Sequence, residues 1–264
     1  MSSLTQEQLN KSLWAGADDM RKSMSADDYK DYLLGLVFFK NLSDEILYEV
    51  VDLVENRKPE SLEEAQKIFE RYYLSEDKDL LEEEIRKKFG CFIKPESTFS
   101  HLAKEVADRT FMLSSLSQIF RDIEQSQGLF YEGLFEDFDI NSKKLGKTAA
   151  EANKLISSVI IQLADIDFHS YGHDALGDAY EYLISKFASE SGKKAGEFYT
   201  PRAVSRLLAR IVTDGQEHKN AFSVYDPTMG SGSLLLQVKN FIVDSPTLNR
   251  EFPAVSYSRR QEAR

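Results

Sequence analysis

The stretch Asp226-Pro227-Thr228-Met229-Gly230-Ser231-Gly232 is the most informative part of this 264-residue sequence. An apolar run at residues 221–225 precedes it and predicts a β-strand, and residues 233–242 after it predict a helix. Glycine lets the main chain approach a ligand closely, and the first amides of a helix lack intrahelical partners. The pattern therefore predicts a strand–loop–helix unit whose loop contacts a ligand. A plain turn between strand and helix is the alternative.

A second motif, Glu197-Phe198-Tyr199-Thr200-Pro201-Arg202, lies upstream of the glycine loop. Thr200 is predicted as the N-cap of a helix and Pro201 as its first residue, because proline suits the first helical position. The apolar stripe of this helix is predicted to be buried. Its members are Val204, Leu207, Leu208 and Ile211.

Residues 1–165 predict only helices, because their apolar residues recur at helical spacing. Several helix starts carry a hydroxyl residue followed three positions later by an acid or amide. These pairs are Thr5 and Gln8, Ser25 and Asp28, Ser61 and Glu64, and Thr148 and Glu151. Gly90 is predicted to end one helix, and residues 127–147 are predicted to form a loop.

The fold class follows from these two halves. One strand–helix unit cannot bury a sheet without neighbouring strands, so residues 166–242 are expected to begin an α/β, Rossmann-like domain. Residues 243–264 lack the next strand and helix and predict an irregular tail. We therefore expect a mainly α chain, with an all-α N-terminal domain at residues 1–165 and a truncated α/β domain after it.

Composition excludes several classes of protein. A net charge of −11 is unusual for a protein that binds nucleic acid unaided, because phosphate contacts require clustered cations. The only cysteine, Cys91, allows no disulfide framework and favours a cytoplasmic location. No apolar run approaches the roughly 20 residues of a membrane helix, so no membrane contact is expected.

Two further groups have a structural and a functional interpretation. His169 and His173 have metal-ligand spacing, but Gly172 intervenes and no third ligand is evident, so surface histidines are favoured and no metal is predicted. Basic residues also gather near two predicted helix ends, where a solvated face is the default and phosphate contact the alternative. These are Arg21, Lys22, Lys30 and Lys40.

In this order, the two motifs resemble those of amino-methylating DNA methyltransferases, specifically the modification subunit of type I restriction–modification systems. The run from Leu13-Trp14 through Phe38-Phe39-Lys40-Asn41-Leu42 is similar to the helical domain that precedes the methyltransferase domain in that subunit. The resemblance covers roughly residues 8–242. It implies the start of an S-adenosylmethionine-dependent methyltransferase domain at residues 166–242.

The resemblance also implies S-adenosylmethionine as the cofactor of the complete protein, with weak or no binding by this chain alone, and it implies which residues line the pocket. Thr200 would offer its hydroxyl and nearby amides to the charged amino-acid end of the cofactor. Asp226 and the glycine loop would form the turn beneath that same end. The implied cofactor-binding residues are Glu197, Phe198, Tyr199, Thr200, Pro201, Arg202, Asp226, Pro227, Gly230, Ser231 and Gly232.

The catalytic motif of that family, Asn-Pro-Pro-Phe or Asn-Pro-Pro-Tyr, does not occur in the sequence. Its asparagine and proline carbonyl hold the N6 amino group of a flipped-out adenine while the aromatic ring stacks on the base. No catalytic residue is therefore assigned, and the chain alone is expected to be inactive.

The resemblance implies DNA, a specificity subunit and an ATP-driven restriction subunit as partners. Within that assembly the basic residues Arg21, Lys22, Lys30 and Lys40 would contact DNA phosphates. The acidic balance fits an enzyme whose DNA-reading surface belongs to a partner. The alternative is a non-enzymatic helical module that binds the specificity subunit or clamps DNA.

Overall fold

The computed structural model describes residues 6–126, 130–171, 175–190, 200–216, 223–227, 229, 233–239 and 241–242. These residues form eleven α-helices, with short 3-10 turns at Pro95–Ser97 and Phe168–Tyr171. The helices are α1 (Gln6–Gly16), α2 (Asp18–Ser23), α3 (Ala26–Glu55), α4 (Leu62–Tyr73), α5 (Lys78–Phe89), α6 (Phe99–Ala107), α7 (Leu113–Glu124), α8 (Ala149–Ala164), α9 (Ala175–Glu190), α10 (Arg202–Thr213) and α11 (Ser233–Lys239).

Local side-chain chemistry sets several helix ends in the N-terminal part. The Ser61 hydroxyl accepts a hydrogen bond from the Glu64 amide at 3.2 Å. Thr148 and Glu151 form a complete capping box at the start of α8. Gly90 ends α5 with a φ of 74°, a conformation that suits glycine. These predicted ends are confirmed, whereas Thr5 lies outside the described residues.

Helix α3 is the centre of the helical unit and packs against α4, α5, α6, α8 and α9. Its apolar residues recur around most of its circumference, so it is buried on several sides rather than along one stripe. The Phe39 ring lies inside this core, 5.7 Å from the Phe99 ring and 5.4 Å from the Phe120 ring between centroids. Neighbouring helices therefore share one continuous core around α3.

The loop between α7 and α8 contributes to that core. Phe135 and Phe138 are buried, and the Phe135 ring stacks on Phe120 with centroids 3.8 Å apart. The Tyr32 hydroxyl donates a hydrogen bond to the Asp139 carbonyl at 3.0 Å. The prediction of a loop is confirmed for residues 130–147, but its aromatic anchors were not foreseen.

The chain divides into two compact units, Met1–Lys193 and Lys194–Arg264. The first unit includes α9, although the sequence assigned residues after 165 to the second domain. Helix α9 belongs to the first unit because its apolar stripe, at four-residue spacing, is buried against α1 and α3. Its members are Ala175, Ala179, Leu183 and Phe187.

The second unit consists, in its described part, of α10, α11 and short irregular segments. Residues 223–225 are exposed and form no strand, so the predicted strand is not observed there. A strand requires a hydrogen-bonded neighbour, and the described residues offer none.

The buried stripe predicted for α10 is wrong. Leu207 and Ile211 are 58% and 62% exposed, and Val204 and Leu208 are also exposed. The helix instead packs against α11 and buries the small residues Ser205, Ala209 and Thr213. Small side chains allow the two helices to approach closely, so the large apolar residues remain on the outer face of this unit.

In the part of the chain that the structure describes, no helix combines the length and apolar character needed to cross a membrane.

Candidate cofactor and DNA-binding sites

The first candidate cofactor segment leads into α10. Its helix begins at Arg202, with Pro201 in the cap position, so the predicted start with Thr200 as cap is displaced by one residue. The Pro201 carbonyl accepts hydrogen bonds from the Val204 and Ser205 amides at 2.9 and 3.0 Å. It can do so because the extended ψ of 139° at Pro201 turns its carbonyl into the first helical turn.

The structure describes only some residues of this first motif. Thr200 is half-buried and Pro201 is exposed at the start of the helix. Glu197, Phe198 and Tyr199 lie outside the described residues, as does the side chain of Arg202.

The second candidate segment leads into α11. Asp226 is half-buried and Pro227 is exposed, both in irregular backbone. Gly230, Ser231 and Gly232 lie outside the described residues. Because α10 packs against α11, the two predicted motifs lead into two helices that contact each other.

Lys40 does not belong to a DNA-binding surface, and this part of the prediction is wrong. The residue is 1% exposed inside the helical core and pairs with Asp44 one turn later. Its ammonium also lies 5.5 Å from the centre of the Phe99 ring. A buried cation held by a carboxylate cannot reach a phosphate. The four-residue spacing of the pair was the available sequence signal.

Asp44 is a buried acid with incomplete hydrogen bonding. Its Oδ2 atom pairs with Lys40, whereas Oδ1 has no hydrogen-bond partner within the described residues. Burial raises the pKa of Asp44 to about 7, although the neighbouring Lys40 favours the ionised carboxylate.

The other basic residues of the predicted cluster all lie near carboxylates. Lys22 is 73% exposed on its side chain, and its ammonium lies 2.9 Å from Asp19, which holds the pKa of that acid below its usual range. Lys30 lies 3.9 Å from Asp31. Both lysines therefore lie beside an aspartate. Phosphate contact by Lys22 and Lys30 stays a prediction.

Arg21 has a structural environment that the sequence did not reveal. Its guanidinium pairs with Asp18 and lies 3.5 Å from Glu190 on α9. The same group lies 4.2 Å from the centre of the Trp14 ring, in a cation–π contact. Arg21 thus joins α2 to α1 and α9, and phosphate contact by this residue also stays a prediction.

His169 packs against α3. Its ring stacks on Tyr48 with centroids 4.1 Å apart, and Nδ1 lies 3.3 Å from Glu45. His173 lies outside the described residues. No group of three or more metal-ligating side chains is found among the residues that the structure describes.

Comparisons with known proteins assign both parts of the chain. Residues 9–163 match the model of the "HsdM N-terminal domain", and residues 171–257 match the model "N-6 DNA Methylase". Together the two models describe a class: a helical domain joined to an N-6 DNA methylase domain.

Individual relatives carry the same description. The chain is 34% identical over 245 residues to the type I restriction enzyme MpnII methylase subunit of Mycoplasma pneumoniae, covering 87% of this chain and 44% of that protein. It is 31% identical to the MjaVIII methylase subunit of Methanocaldococcus jannaschii, covering 88% of this chain and 35% of the relative. The chain belongs to the family of type I restriction enzyme methylase subunits.

A solved structure is similar over most of the chain. It is the crystal structure of the type I restriction-modification system methyltransferase subunit from Streptococcus thermophilus, with 45% identity and a TM-score of 0.82. The match covers 90% of this chain and 50% of that one. The chain therefore spans half or less of the length of these relatives.

Proposed function

We propose that the chain is part of a modification subunit that transfers a methyl group from S-adenosylmethionine to adenine N6 in DNA. The observation that carries this proposal is the pair of motifs, Glu197–Arg202 and Asp226–Gly232, within the residues matched by the N-6 DNA methylase model. The assignment of residues 166–242 to the start of a Rossmann-like domain belongs to the same proposal. A cytoplasmic location fits a DNA-modifying enzyme.

The proposed cofactor site uses polar groups from both motifs. When bound, S-adenosylmethionine supplies a methyl group on a positively charged sulfur. Thr200 and the Arg202 and Ala203 amides would bind the charged amino-acid end, since among the described residues the Pro201 carbonyl accepts hydrogen bonds from the Val204 and Ser205 amides only. The half-buried Asp226 and the glycine loop would form the turn beneath that end. The described groups fit such a ligand in charge and hydrogen-bonding chemistry.

We propose that this chain alone does not methylate DNA. Adenine must leave the base stack, and its amino group must be held, before a methyl group can be transferred. The Asn-Pro-Pro-aromatic motif that does this in the family is absent from residues 1–264. A specificity subunit that reads the DNA and a restriction subunit that cleaves it are the proposed partners.

Two measurements on the purified chain test the proposal. Transfer of tritiated methyl groups to adenine-rich DNA should be absent. Titration with S-adenosylmethionine, followed by NMR, should shift the amides at the start of α10, and Asp226→Ala should remove that shift. The matched control is Asp214→Ala, an exposed acid at the end of α10. If the chain alone shows no shift at millimolar cofactor, the same titration on the full-length subunit decides, and no shift there would contradict the proposed cofactor site.

A second candidate function is a non-enzymatic helical module. The continuous core of the first unit around α3 favours it, because this unit can present a surface to a specificity subunit or to DNA without a cofactor. Retained binding of the specificity subunit by an Asp226→Ala chain that has lost the cofactor shifts would support this role.

A further inference from the structure

Helix α10 carries arginines at four-residue spacing. Arg202, Arg206 and Arg210 recur at an interval that repeats one face of a helix, and the sequence of this helix contains no acidic residue. Arg206 and Arg210 are exposed. Because four residues rise about 6 Å along a helix, these two residues form a short row of positive charge, which we call the arginine row.

The arginine row has no acidic partner among the residues that the structure describes. Exposed arginines of the helical unit differ in this respect, since Arg57 pairs with Glu55 and Glu64, and Arg71 pairs with Glu55. A guanidinium is always charged, and its five donors suit the oxygens of a carboxylate or a phosphate. The arginine row therefore offers hydrogen-bond donors and charge to an anionic ligand.

The arginine row is separate from the exposed apolar residues of α10. Successive residues of a helix are turned by about 100°, so Arg206 and Leu208 lie on opposite sides of it. Ser205 and Ala209 are buried on a third side, where the helix packs against α11. A surface that covered the apolar residues would therefore leave the guanidinium of Arg206 accessible.

Charge is divided unevenly between the two compact units. Residues 1–193 contain 23 Lys and Arg against 37 Asp and Glu, whereas residues 194–264 contain 10 against 7. The net negative charge of the chain thus resides in the helical unit, and the unit that holds the proposed cofactor site has an excess of positive charge. A polyanion is therefore attracted to this second unit more than to the first.

We infer that Arg206 and Arg210 bind phosphates of the DNA substrate. This inference rests on the proposed function. The arginine row begins one turn after the motif Glu197–Arg202, so a duplex bound to it would lie near the proposed cofactor segment, to which the target adenine must be brought. Each guanidinium can form two parallel hydrogen bonds to one phosphate. Such contacts position a duplex without reading its sequence, which suits a subunit whose proposed partner reads the DNA.

The salt dependence of DNA binding tests the inference on the full-length subunit assembled with its specificity subunit. The probe is a fluorescein-labelled duplex, and fluorescence anisotropy gives its affinity between about 0.05 and 0.3 M salt. Arg206→Gln with Arg210→Gln should weaken binding about ten- to a hundredfold at about 0.1 M salt and flatten the salt slope by about two, one for each lost phosphate contact. Arg206→Lys with Arg210→Lys keeps both charges and should retain the slope.

Arg57→Gln with Arg71→Gln is the matched control. It removes the same two charges from exposed side chains, but both of these arginines already pair with Glu55. The affinity for the duplex and the salt slope should therefore be unchanged. Equal losses in the two glutamine double variants, or unchanged affinity and slope in the α10 variant, overturn the inference.

Methyl transfer by the same assembly separates this inference from the proposed function. If the wild-type assembly methylates adenine and the α10 glutamine variant binds DNA as tightly as the wild type, the proposed function stands and the inference is overturned. If the wild-type assembly transfers no methyl group, the proposed function is contradicted, and the anisotropy measurements still decide the phosphate contacts. If the variant no longer assembles with the specificity subunit in gel filtration, the arginine row binds an acidic protein surface, which also overturns the inference.

Discussion

Lys40 and Asp44 form a buried ion pair in the middle of the longest helix. Burying two charges costs hydration free energy that their attraction does not always restore, so such a pair often specifies an arrangement more than it stabilises it. Here the lysine must lie beside Asp44 and the Phe99 ring, which fixes how α6 meets α3. We propose that the pair sets this packing register.

Replacing one member of the Lys40–Asp44 pair should lower the free energy of unfolding far more than replacing both members. Lys40→Met leaves Asp44 buried without a partner, and we expect a loss of about 3–5 kcal/mol in the free energy of unfolding. The double variant Lys40→Met with Asp44→Leu should recover most of this loss. Urea unfolding measures both. Lys67→Met is the control, because its (i, i+4) pair with Glu63 is exposed and should contribute little.

The pH dependence gives a second readout of the same pair. Burial raises the pKa of Asp44 from 3.8 to about 7, so the folded state binds this proton more tightly than the unfolded state. The resulting stability is fully present below pH 3.8 and declines as pH rises toward 7. The double variant should lack this decline. If the free energy of unfolding changed equally with pH in the wild type and the double variant between pH 4 and 7, the raised pKa of Asp44 would be contradicted.

The helices show how far local signals predict structure. Ser61, Thr148 and Gly90 lie at predicted helix ends, because capping depends on neighbours within one turn. The spacing of apolar residues in α10 correctly predicted a helix, but it did not predict which face of that helix is buried. Periodicity identifies which residues share a face, but what covers that face depends on distant parts of the chain. In the described residues, small side chains make the contact with α11.

The outer face of α10 should tolerate charge in this chain. We expect Leu207→Glu with Ile211→Glu to leave the helix content unchanged and to reduce binding of a hydrophobic dye such as ANS, because both side chains are mostly exposed. Circular dichroism and dye fluorescence measure these effects. Ala209→Glu, on the buried face, should instead separate α10 from α11. If Leu207→Glu with Ile211→Glu unfolded α10, the apolar stripe would have to be buried after all.

The boundary between the two domains differs according to whether it is taken from the sequence or from the packing of the helices. The family models meet between residues 163 and 171, whereas the first compact unit continues to Lys193. The sequence could identify α9 as a helix, but its partners, α1 and α3, lie more than a hundred residues earlier in the chain. Long-range packing of this kind leaves no local signal. The two motifs proposed for the cofactor, in contrast, could be predicted because each is a short, contiguous segment of the sequence.

Fragments test this division. A fragment of residues 1–193 should be more stable than one of residues 1–165 by at least about 3 kcal/mol, since the shorter one exposes the sites filled by Leu183 and Phe187. Urea unfolding should also show a larger m-value for the longer fragment. The intact chain provides the reference for the helical transition. Equal stability of the two fragments would contradict the packing of α9 as an integral part of the helical unit.

The docking of α9 also has an evolutionary consequence. A gene exchange that joined the helical domain of one subunit to the methylase domain of another near residue 168 would pair this helix with a foreign surface. Ala179, Leu183 and Phe187 would then have to fit a core with which they had not co-evolved. An exchange just after Glu190 would keep the helix with its own core. Recombination among such genes should therefore succeed more often at the end of this helix than at the boundary that their sequences suggest.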